Sequence, residues 1–320
     1  PLTFTYDCGE FEAMMNAALK KADHGGFDAR RAAAAEQGLL RGIGISCTVE
    51  QAAAAQPETA EMRFDPSGTL TLLVGSTPHG QGHETIFKQL IVEKLAIDPS
   101  NIRVIEGDTD KVSYGTGTGG SRTASIGTSA VFEAIGKVVD KTLKVAAHLL
   151  EVSDTDIEFN HGTFTVSGTD KSVSFTEVAQ STFQPGKIPD GMEPGLYEIA
   201  TFNPKNANFP NGCHISEVEI DSETGTVRIV KYTVVDDVGF EINPLLVKGQ
   251  VHGGIAQGAG QILMESLHID DAGQPLAGTF MDYAMPRADD FCFFDVEGRP
   301  VPTDTNPLGA KGAGECGTVG

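Results

Sequence analysis

A chain of 320 residues with 40% hydrophobic content can bury a sizeable core, and its length favours two lobes over one. The formal net charge of -21 at pH 7 argues against a nucleic-acid partner, which would need clustered Lys and Arg. No apolar run approaches the roughly 18 residues of a membrane span, and no basic segment leads an apolar one at the N-terminus, so the expectation is a soluble cytoplasmic protein.

In chain order, residues 10–22 carry apolar positions at helical spacing, with Gly25-Gly26 as a stop. Ile43 to Glu50 alternates like a strand, and Ala52 to Ala55, beside Gln56 and Pro57, either caps a strand or forms a loop. Asp65-Pro66-Ser67-Gly68 has strong turn chemistry and predicts a hairpin between Glu61–Phe64 and Thr69–Gly75. His83 to Leu95 places Ile86, Leu90, Ile91 and Leu95 on one stripe and predicts an amphipathic helix. Gly80-Gln81-Gly82 stands at its N-terminus, where backbone N–H groups are free for an acceptor-rich ligand. Asn101 to Glu106 reads as a strand, and Ser121 to Leu150 as a long helix entered from glycines.

Short strands, a helical turn at Phe175 to Ala179 and the Pro/Gly-rich stretch 184–195 place a lobe boundary between Gly162 and Pro194, giving lobes 1–165 and 166–320. In the second lobe, Cys213–Ile220 and Val227–Val235 predict a hairpin around Asp221-Ser222-Glu223-Thr224-Gly225. Pro244 to Leu267 predicts a helix opened by Asn243-Pro244, although glycines at 249, 253, 254, 258 and 260 weaken it. Small residues there let another backbone or a ligand come close. The fold class expected is α+β, two lobes of mixed β-sheet packed with long helices.

Glycine-rich loops carry the polar chemistry: Pro78-His79-Gly80-Gln81-Gly82-His83-Glu84, then Gly115-Thr116-Gly117-Thr118-Gly119-Gly120-Ser121-Arg122, and finally Gly309-Ala310-Lys311-Gly312-Ala313-Gly314-Glu315. Gly and Ala allow close backbone approach to a bulky ligand, so the carboxylate ending the third loop can be held against something large. In the second loop, backbone N–H groups, the Ser121 and Thr123 hydroxyls and Arg122 can hold phosphate. Gly115, Gly117 and Gly120 also satisfy G-x-G-x-x-G. However, about eight residues separate them from the preceding strand, and no acidic residue stands at a strand end about 20 positions on, so a nicotinamide site is rejected.

His79 and His83 are four apart, yet Pro78 and the intervening glycines break the helical face a zinc pair needs, and His83 reads as a polar residue at the helix start. The amide of Gln81 can both donate and accept hydrogen bonds. Gln250 and Gln257 share one face of the glycine-rich helix, as ligand contacts or as exposed amides. Asp236 and Asp237 read as a structural pair. Cys8, Cys47, Cys213, Cys292 and Cys316 are odd in number and contain no Cys-x-x-Cys, so free thiols are the simpler reading and no zinc or iron–sulfur site is expected in the chain. Cys316 reads as a small packed residue. No G-x-S-x-G or Ser/His/Asp spacing supports a hydrolase.

The segments GQGHET from Gly80, YGTGTGGSR from Tyr114, INPLLVKGQVHGGIAQG from Ile242 and GAKGAGE from Gly309, in that order, resemble the molybdenum-cofactor subunit of the xanthine dehydrogenase, aldehyde oxidase and aerobic carbon monoxide dehydrogenase family. The resemblance spans Gly75 to Glu315. It implies a molybdenum–molybdopterin cofactor, with the cytosine dinucleotide form as one option, whose dithiolene holds the metal without a protein ligand. The implied reaction is hydroxylation of an electron-poor carbon with water, by an oxidoreductase acting on a heteroaromatic, an aldehyde or carbon monoxide. By the same resemblance Glu315 is the base, and Gln81 and Gly82 lie beside the cofactor. The loop of Gly115, Thr116, Gly117, Thr118, Gly119, Gly120, Ser121 and Arg122 takes its phosphate end. Gln250 and Gln257 contact the pterin, and Lys311 neutralises cofactor charge, a surface lysine being the alternative.

The family's N-terminal half, with its Phe-Gly-Gly type loop and second glutamine, has no counterpart here, nor has the cysteine loop that marks carbon monoxide dehydrogenase. The chain therefore resembles the C-terminal half of the subunit, as a split subunit of the nicotinate dehydrogenase type or as a domain of a longer chain. The partners implied are the N-terminal half, an iron–sulfur subunit with [2Fe-2S] clusters and an FAD subunit, with the isolated chain inactive. The competing reading is a non-catalytic cofactor-binding or assembly module of the same fold, and an intact Glu315 weighs against it.

Overall fold

The computed structural model describes residues 4–53 and 56–320. Ala54 and Ala55, half of the expected 52–55 loop, lie outside the described residues. The chain begins with α1 (Phe11–Lys21), α2 (Phe27–Ala35) and β1 (Leu39–Val49), then the hairpin of β2 (Glu58–Phe64) and β3 (Leu70–Val74). It continues through α3 (His83–Leu95), β4 (Ile102–Glu106), α4 (Thr128–Leu150), β5 (Ile157–Asn160), β6 (Thr163–Val166), β7 (Ser172–Ser174) and α5 (Phe175–Ser181). The remainder is β8 (Tyr197–Phe202), β9 (Asn211–Asp221), β10 (Val227–Asp237), α6 (Pro244–Leu263), β11 (Phe294–Gly298) and α7 (Cys316–Val319). The α+β class holds, with mixed sheets.

Two compact units are present, but they do not divide at residue 165. One comprises 1–52, 208–304 and 309–320; the other comprises 53–207 and 305–308. Where a break was expected, β5, β6 and β7 form a small antiparallel sheet, and Phe164 and Phe175 are buried with Phe159 packed beside them. The chain crosses instead at 52–53 and 207–208, because β1 pairs along its whole length with β9, Leu39 opposite Asp221 and Val49 opposite Asn211. That long ladder ties the N-terminus to the second half of the sequence.

In the first unit the sheet order is β1-β9-β10-β11, antiparallel except for the parallel β10/β11 pair. Successive side chains on β10 point to opposite faces. Val235 therefore joins Cys213, Ile215 and the Met14, Ala18 and Ala22 stripe of α1, whereas Tyr232 and Val234 join Phe294 and the Val251 and Ile255 side of α6. Helices on both faces explain why 232–237 are buried throughout. Two helix limits differ from expectation. α2 follows directly on Gly25-Gly26 and buries only Phe27 and Ala34, too few for an apolar stripe to show in the sequence. α6 stops at Leu263, where Gly260 O accepts the N–H groups of both Met264 and Glu265.

In the second unit the order is β4-β3-β2-β8, with β3 and β4 parallel and the other pairs antiparallel. The β2/β3 turn is closed by Gly68 N–H to Asp65 O and by Ser67 N–H to Asp65 Oδ1 at 2.8 Å, as its residues predict. α4 packs along β2 and β8 and buries Ala130, Val131, Ala134, Ile135 and Val138. Among the described residues no helix is long and apolar enough to cross a membrane.

Candidate functional site

In the second unit, two of the glycine-rich loops leave the C-terminal ends of the neighbouring parallel strands β3 and β4, the position where open α/β sheets commonly form a ligand crevice. The first runs from Gly75 into α3. Gly82, its last residue, has φ 85, a left-handed conformation that glycine adopts without steric cost. Gln81 is half-buried, and its Oε1 accepts the His79 N–H, which leaves its amide NH2 without a protein acceptor among the described residues. His83 is buried, and its Nδ1 lies 2.9 Å from Glu106 Oε1, which also accepts the Ser76 hydroxyl at 2.6 Å. The ring thus fixes the start of α3 to the end of β4.

The second loop lies directly on the first. A Cβ added to Gly75 would stand 2.3 Å from Gly115 Cα, and one on Gly115 would stand 2.2 Å from Gly75 Cα, so the two backbones touch and neither position admits a side chain. Gly117 N–H donates to Gly75 O, and Thr77 N–H to Thr118 Oγ1 at 3.0 Å. Between these loops is a recess of about 350 Å³ lined by Gly75, Thr77, Asp108, Ser113, Tyr114 and Gly117, among others. Gly115, Thr116, Gly119 and Gly120 are exposed. The N–H groups of Thr118, Gly119, Gly120 and Ser121 have no acceptor among the described residues. Ser121 is held at φ 52, in the left-handed region that a non-glycine residue rarely enters, and its buried Oγ has no partner. Free N–H groups and an orphaned hydroxyl are what a phosphate would satisfy, so these residues fit the anionic end of a pterin cofactor.

Arg122 does not present its charge to that surface. It is 5% exposed, and its guanidinium donates to Thr116 Oγ1, to Gly117 O, Gln56 O and Pro57 O at 2.9 Å each, and to Glu58 Oε2 at 3.2 Å. Its role is to brace the loop from beneath, a correction to the phosphate grip expected from its position. The long helix expected from Ser121 begins as a π-helical turn at Thr123–Gly127 before α4, the kind of irregularity that gathers near functional sites.

In the first unit, the third loop is built on β10. Gly309 O accepts Phe240 N–H, Lys311 N–H donates to Val238 O, and Gly239 has φ 65 with Gly309 O only 2.3 Å from where a Cβ would be. The close approach foreseen for these glycines is thus made by the chain's own backbone. Gly312 N–H is held by Asn208 Oδ1 at 3.1 Å. Lys311 is 1% exposed, neither a surface lysine nor a free cation: its Nζ lies 2.6 Å from Asp237 Oδ2. The Asp237 carboxylate also accepts from Asn211 Nδ2 and from the N–H groups of Gly239 and Val301. Asp236, on the opposite face, is bonded to the buried His214, which also contacts Tyr232 OH. The acidic pair is structural, as expected.

Glu315 caps α7. Its side chain is exposed and has no hydrogen-bond or ionic partner among the described residues, while the backbone after it is clamped. A Cβ on Gly317 would meet Val251 O at 2.4 Å, and one on Gly254 would meet Gly317 Cα at 2.8 Å. The Thr318 hydroxyl donates at 3.2 Å to Gly254 O and to Gln257 Oε1. The glycines of α6 therefore receive residues 316–318, with Gln257 engaged at the edge and Gln250 half-buried without a partner among the described residues. Cys316 is buried, and burial pushes its thiol well above the usual range, so it is an inert packed residue. All the cysteines are free thiols, with Cys47 and Cys213 facing one another across β1 and β9 at 3.6 Å. Glu58, Asn208 and the pairing of Asp237 escaped the sequence reading, because each supports a loop far away in the chain and carries no local signature.

A family model described as a molybdopterin cofactor-binding domain matches residues 17–292. The carbon monoxide dehydrogenase large chain of Hydrogenophaga pseudoflava is 32% identical over 99% of this chain and 41% of its own length. The nicotine 6-hydroxylase large subunit of Paenarthrobacter nicotinovorans is 35% identical over 100% and 41%. The solved structure of reconstituted CO dehydrogenase from Oligotropha carboxidovorans superposes with a TM-score of 0.91 at 32% identity, covering 100% of this chain and 42% of that one. The chain thus spans about two fifths of the length of these relatives, and a solved Cu,Mo-CO dehydrogenase superposes on it with the same TM-score of 0.91 at 32% identity. With a family model over most of its length and relatives aligned along all of it, the chain belongs to the molybdopterin cofactor-binding domain family and corresponds to a C-terminal part of the molybdenum subunit of the xanthine oxidase family.

Proposed function

We propose that this chain works as part of a molybdenum hydroxylase, supplying contacts to the pterin cofactor and the catalytic base. When bound, the molybdenum–pterin group supplies the redox chemistry for oxidising a carbon with oxygen from water. The chain's own residues do the holding and the proton transfer. The free N–H groups of Thr118, Gly119, Gly120 and Ser121, with the Ser121 hydroxyl, receive the phosphate end, and the unused amide NH2 of Gln81 donates to the cofactor. Gln250 and Gln257 offer further amides along α6. Glu315 takes up the proton released as the water oxygen adds to the substrate carbon, a task that needs a carboxylate free of other partners and held on a fixed backbone.

The observation that carries this reading is the contrast at Glu315: an unpaired, exposed carboxylate on a backbone clamped by Val251 and Gly254. A heteroaromatic, an aldehyde or carbon monoxide is the substrate class. The partners are the remaining portion of the molybdenum subunit, an iron–sulfur subunit and an FAD subunit. In the assembled enzyme, Glu315→Gln should lower turnover by at least about a hundredfold, the scale of losing a general base, with molybdenum content unchanged. Gln81→Ala should instead lower the molybdenum content. Normal turnover of Glu315→Gln at full metal loading would remove the base assignment and favour a non-catalytic cofactor-binding or assembly role.

A further inference from the structure

Residues 262–293 hold large apolar side chains in the open. Ile262 is 82% exposed, Phe280 82%, Met281 93% and Phe293 76%, with Leu267 and Leu276 at 58% and 59%. Scattered exposed hydrophobics are ordinary, but an accumulation along one segment marks an interaction surface. The stretch from Ala272 to Met281 contains no charged residue in a chain of net charge -21, and charge depletion is the compositional mark of interface cores.

Between α6 and β11 the segment has a defined path: local bonds shape it as far as Tyr283, and at its end Phe291 and Cys292 pack against the core while Phe293 lies beside Lys248 and His252 of α6. Asp270 Oδ1 accepts the N–H groups of Ala272 and Gln274 at 2.9 Å each, Leu276 N–H returns to His268 O at 2.8 Å, and the Tyr283 hydroxyl donates to Glu265 Oε2 at 2.6 Å. These turns shape residues 264–285 while leaving Leu267, Ile269, Leu276, Phe280 and Met281 exposed, so this stretch gains little hydrophobic stabilisation within its own unit. Loops of this length without regular structure are uncommon unless they have a function.

We infer that residues 262–293 form a docking arm for the remaining portion of the molybdenum subunit, the part that corresponds to the relatives' length outside this chain. The relatives match along the whole of this chain but over only 41% of their own length, so more than half of such a subunit is available as its neighbour. The arm leaves the C-terminal end of α6, the helix that receives residues 316–318 and bears Gln257 in the open. A polypeptide that completes a site around Gln257 and Glu315 must approach this end of α6. This rests on the proposed function in its choice of partner and adds the surface by which that partner is held.

The test is hydrogen exchange on the complete molybdenum subunit, with and without its iron–sulfur and FAD subunits, and on the variant Phe280→Asp/Met281→Asp. Amides of 272–281 should be protected in the molybdenum subunit alone. The variant should lose that protection and weaken association of the two portions, expressed as separate polypeptides, by about thirtyfold, the scale of removing an interface hot spot. Unchanged exchange elsewhere in the first unit would show that the variant is folded. Free exchange of 272–281 in the complete subunit would overturn the inference, as would protection that appears only with the iron–sulfur or FAD subunit or only on self-association. Association is read without metal, so a docked arm in a subunit whose Glu315→Gln variant turns over normally would remove the base assignment and leave the arm standing.

Discussion

Glu217 and Glu58 are both carboxylates at 1% exposure, and each meets an arginine, yet the balance differs between them. At Glu217 burial favours the neutral acid, but charge-assisted hydrogen bonds from Arg30 at 2.6 Å and Arg41 at 2.7 Å outweigh it and hold the carboxyl below its ordinary 4.5. At Glu58 burial wins and raises the carboxyl, since its contact with Arg122 is a single bond at 3.2 Å. A carboxyl lowered by folding stabilises the native state above its unfolded value, and that contribution is lost as pH falls through the lowered folded value. Glu217→Gln should therefore cost on the order of 3 kcal/mol at neutral pH, the low end for a broken buried pair because the arginines are partly exposed. The gap between the two proteins in urea midpoints should stay constant down to a pH near 4.5 and shrink below it. A gap that stays constant through strong acid would show that Glu217 does not titrate with folding.

At the scale of elements, α6 and α7 show why glycines accumulate in a helix. Gly254 and Gly317 are in backbone contact, but a Cβ on Gly253 would meet nothing within 4 Å. Gly317→Ala would force Val251 O and Ile255 N away and should cost about 1–3 kcal/mol, the usual range for overpacking. Because it shifts the backbone two residues after Glu315, it should also lower turnover of the assembled enzyme. Gly253→Ala, on the same helix, should stabilise by about 1 kcal/mol through helix propensity alone. Melting temperatures and turnover of the two variants separate the cases, and equal destabilisation by both would refute the contact as the cause. The same reasoning applies to Gly75 and Gly115, whose mutual contact joins two candidate ligand loops in the other unit.

For the whole molecule, several of the residues assigned to the cofactor and its chemistry are open to solvent: Gly115, Thr116, Gly119, Gly120, Gln257 and Glu315 are exposed, while Gln81, Thr118, Ser121 and Gln250 are half-buried. A ligand pocket ordinarily buries 70–90% of its ligand, and the recess beside the 115–120 loop, at about 350 Å³, is small for a pterin carrying a nucleotide. The chain alone should therefore bind little or no molybdenum and show no hydroxylase turnover. Co-expression with the remaining portion of the subunit should restore both, as read by metal analysis and by dye-linked oxidation of heteroaromatic and aldehyde substrates. Full loading and turnover by the chain alone would refute the need for a second portion.

Local chemistry in the sequence determined the elements: the Asp65–Gly68 turn, the stripe of α3 and the Asn243-Pro244 opening of α6 each act within a few residues, and all appear as expected. The four glycine-rich segments, in order, likewise sufficed to point to the family. Only the tertiary structure decided where the units divide, because the β1/β9 ladder joins residues that no local pattern connects. It also decided what the charged residues of the loops do. Lys311 finds Asp237 across 74 positions, and Arg122 finds Glu58 across 64 together with the carbonyls of Gln56, Pro57 and Gly117, so both cations are engaged in the interior. A sequence shows that a cation is present beside a glycine loop. Whether that charge remains free for a ligand depends on which distant carboxylate the fold brings within hydrogen-bonding reach, and desolvation makes that pairing obligatory once both groups are buried.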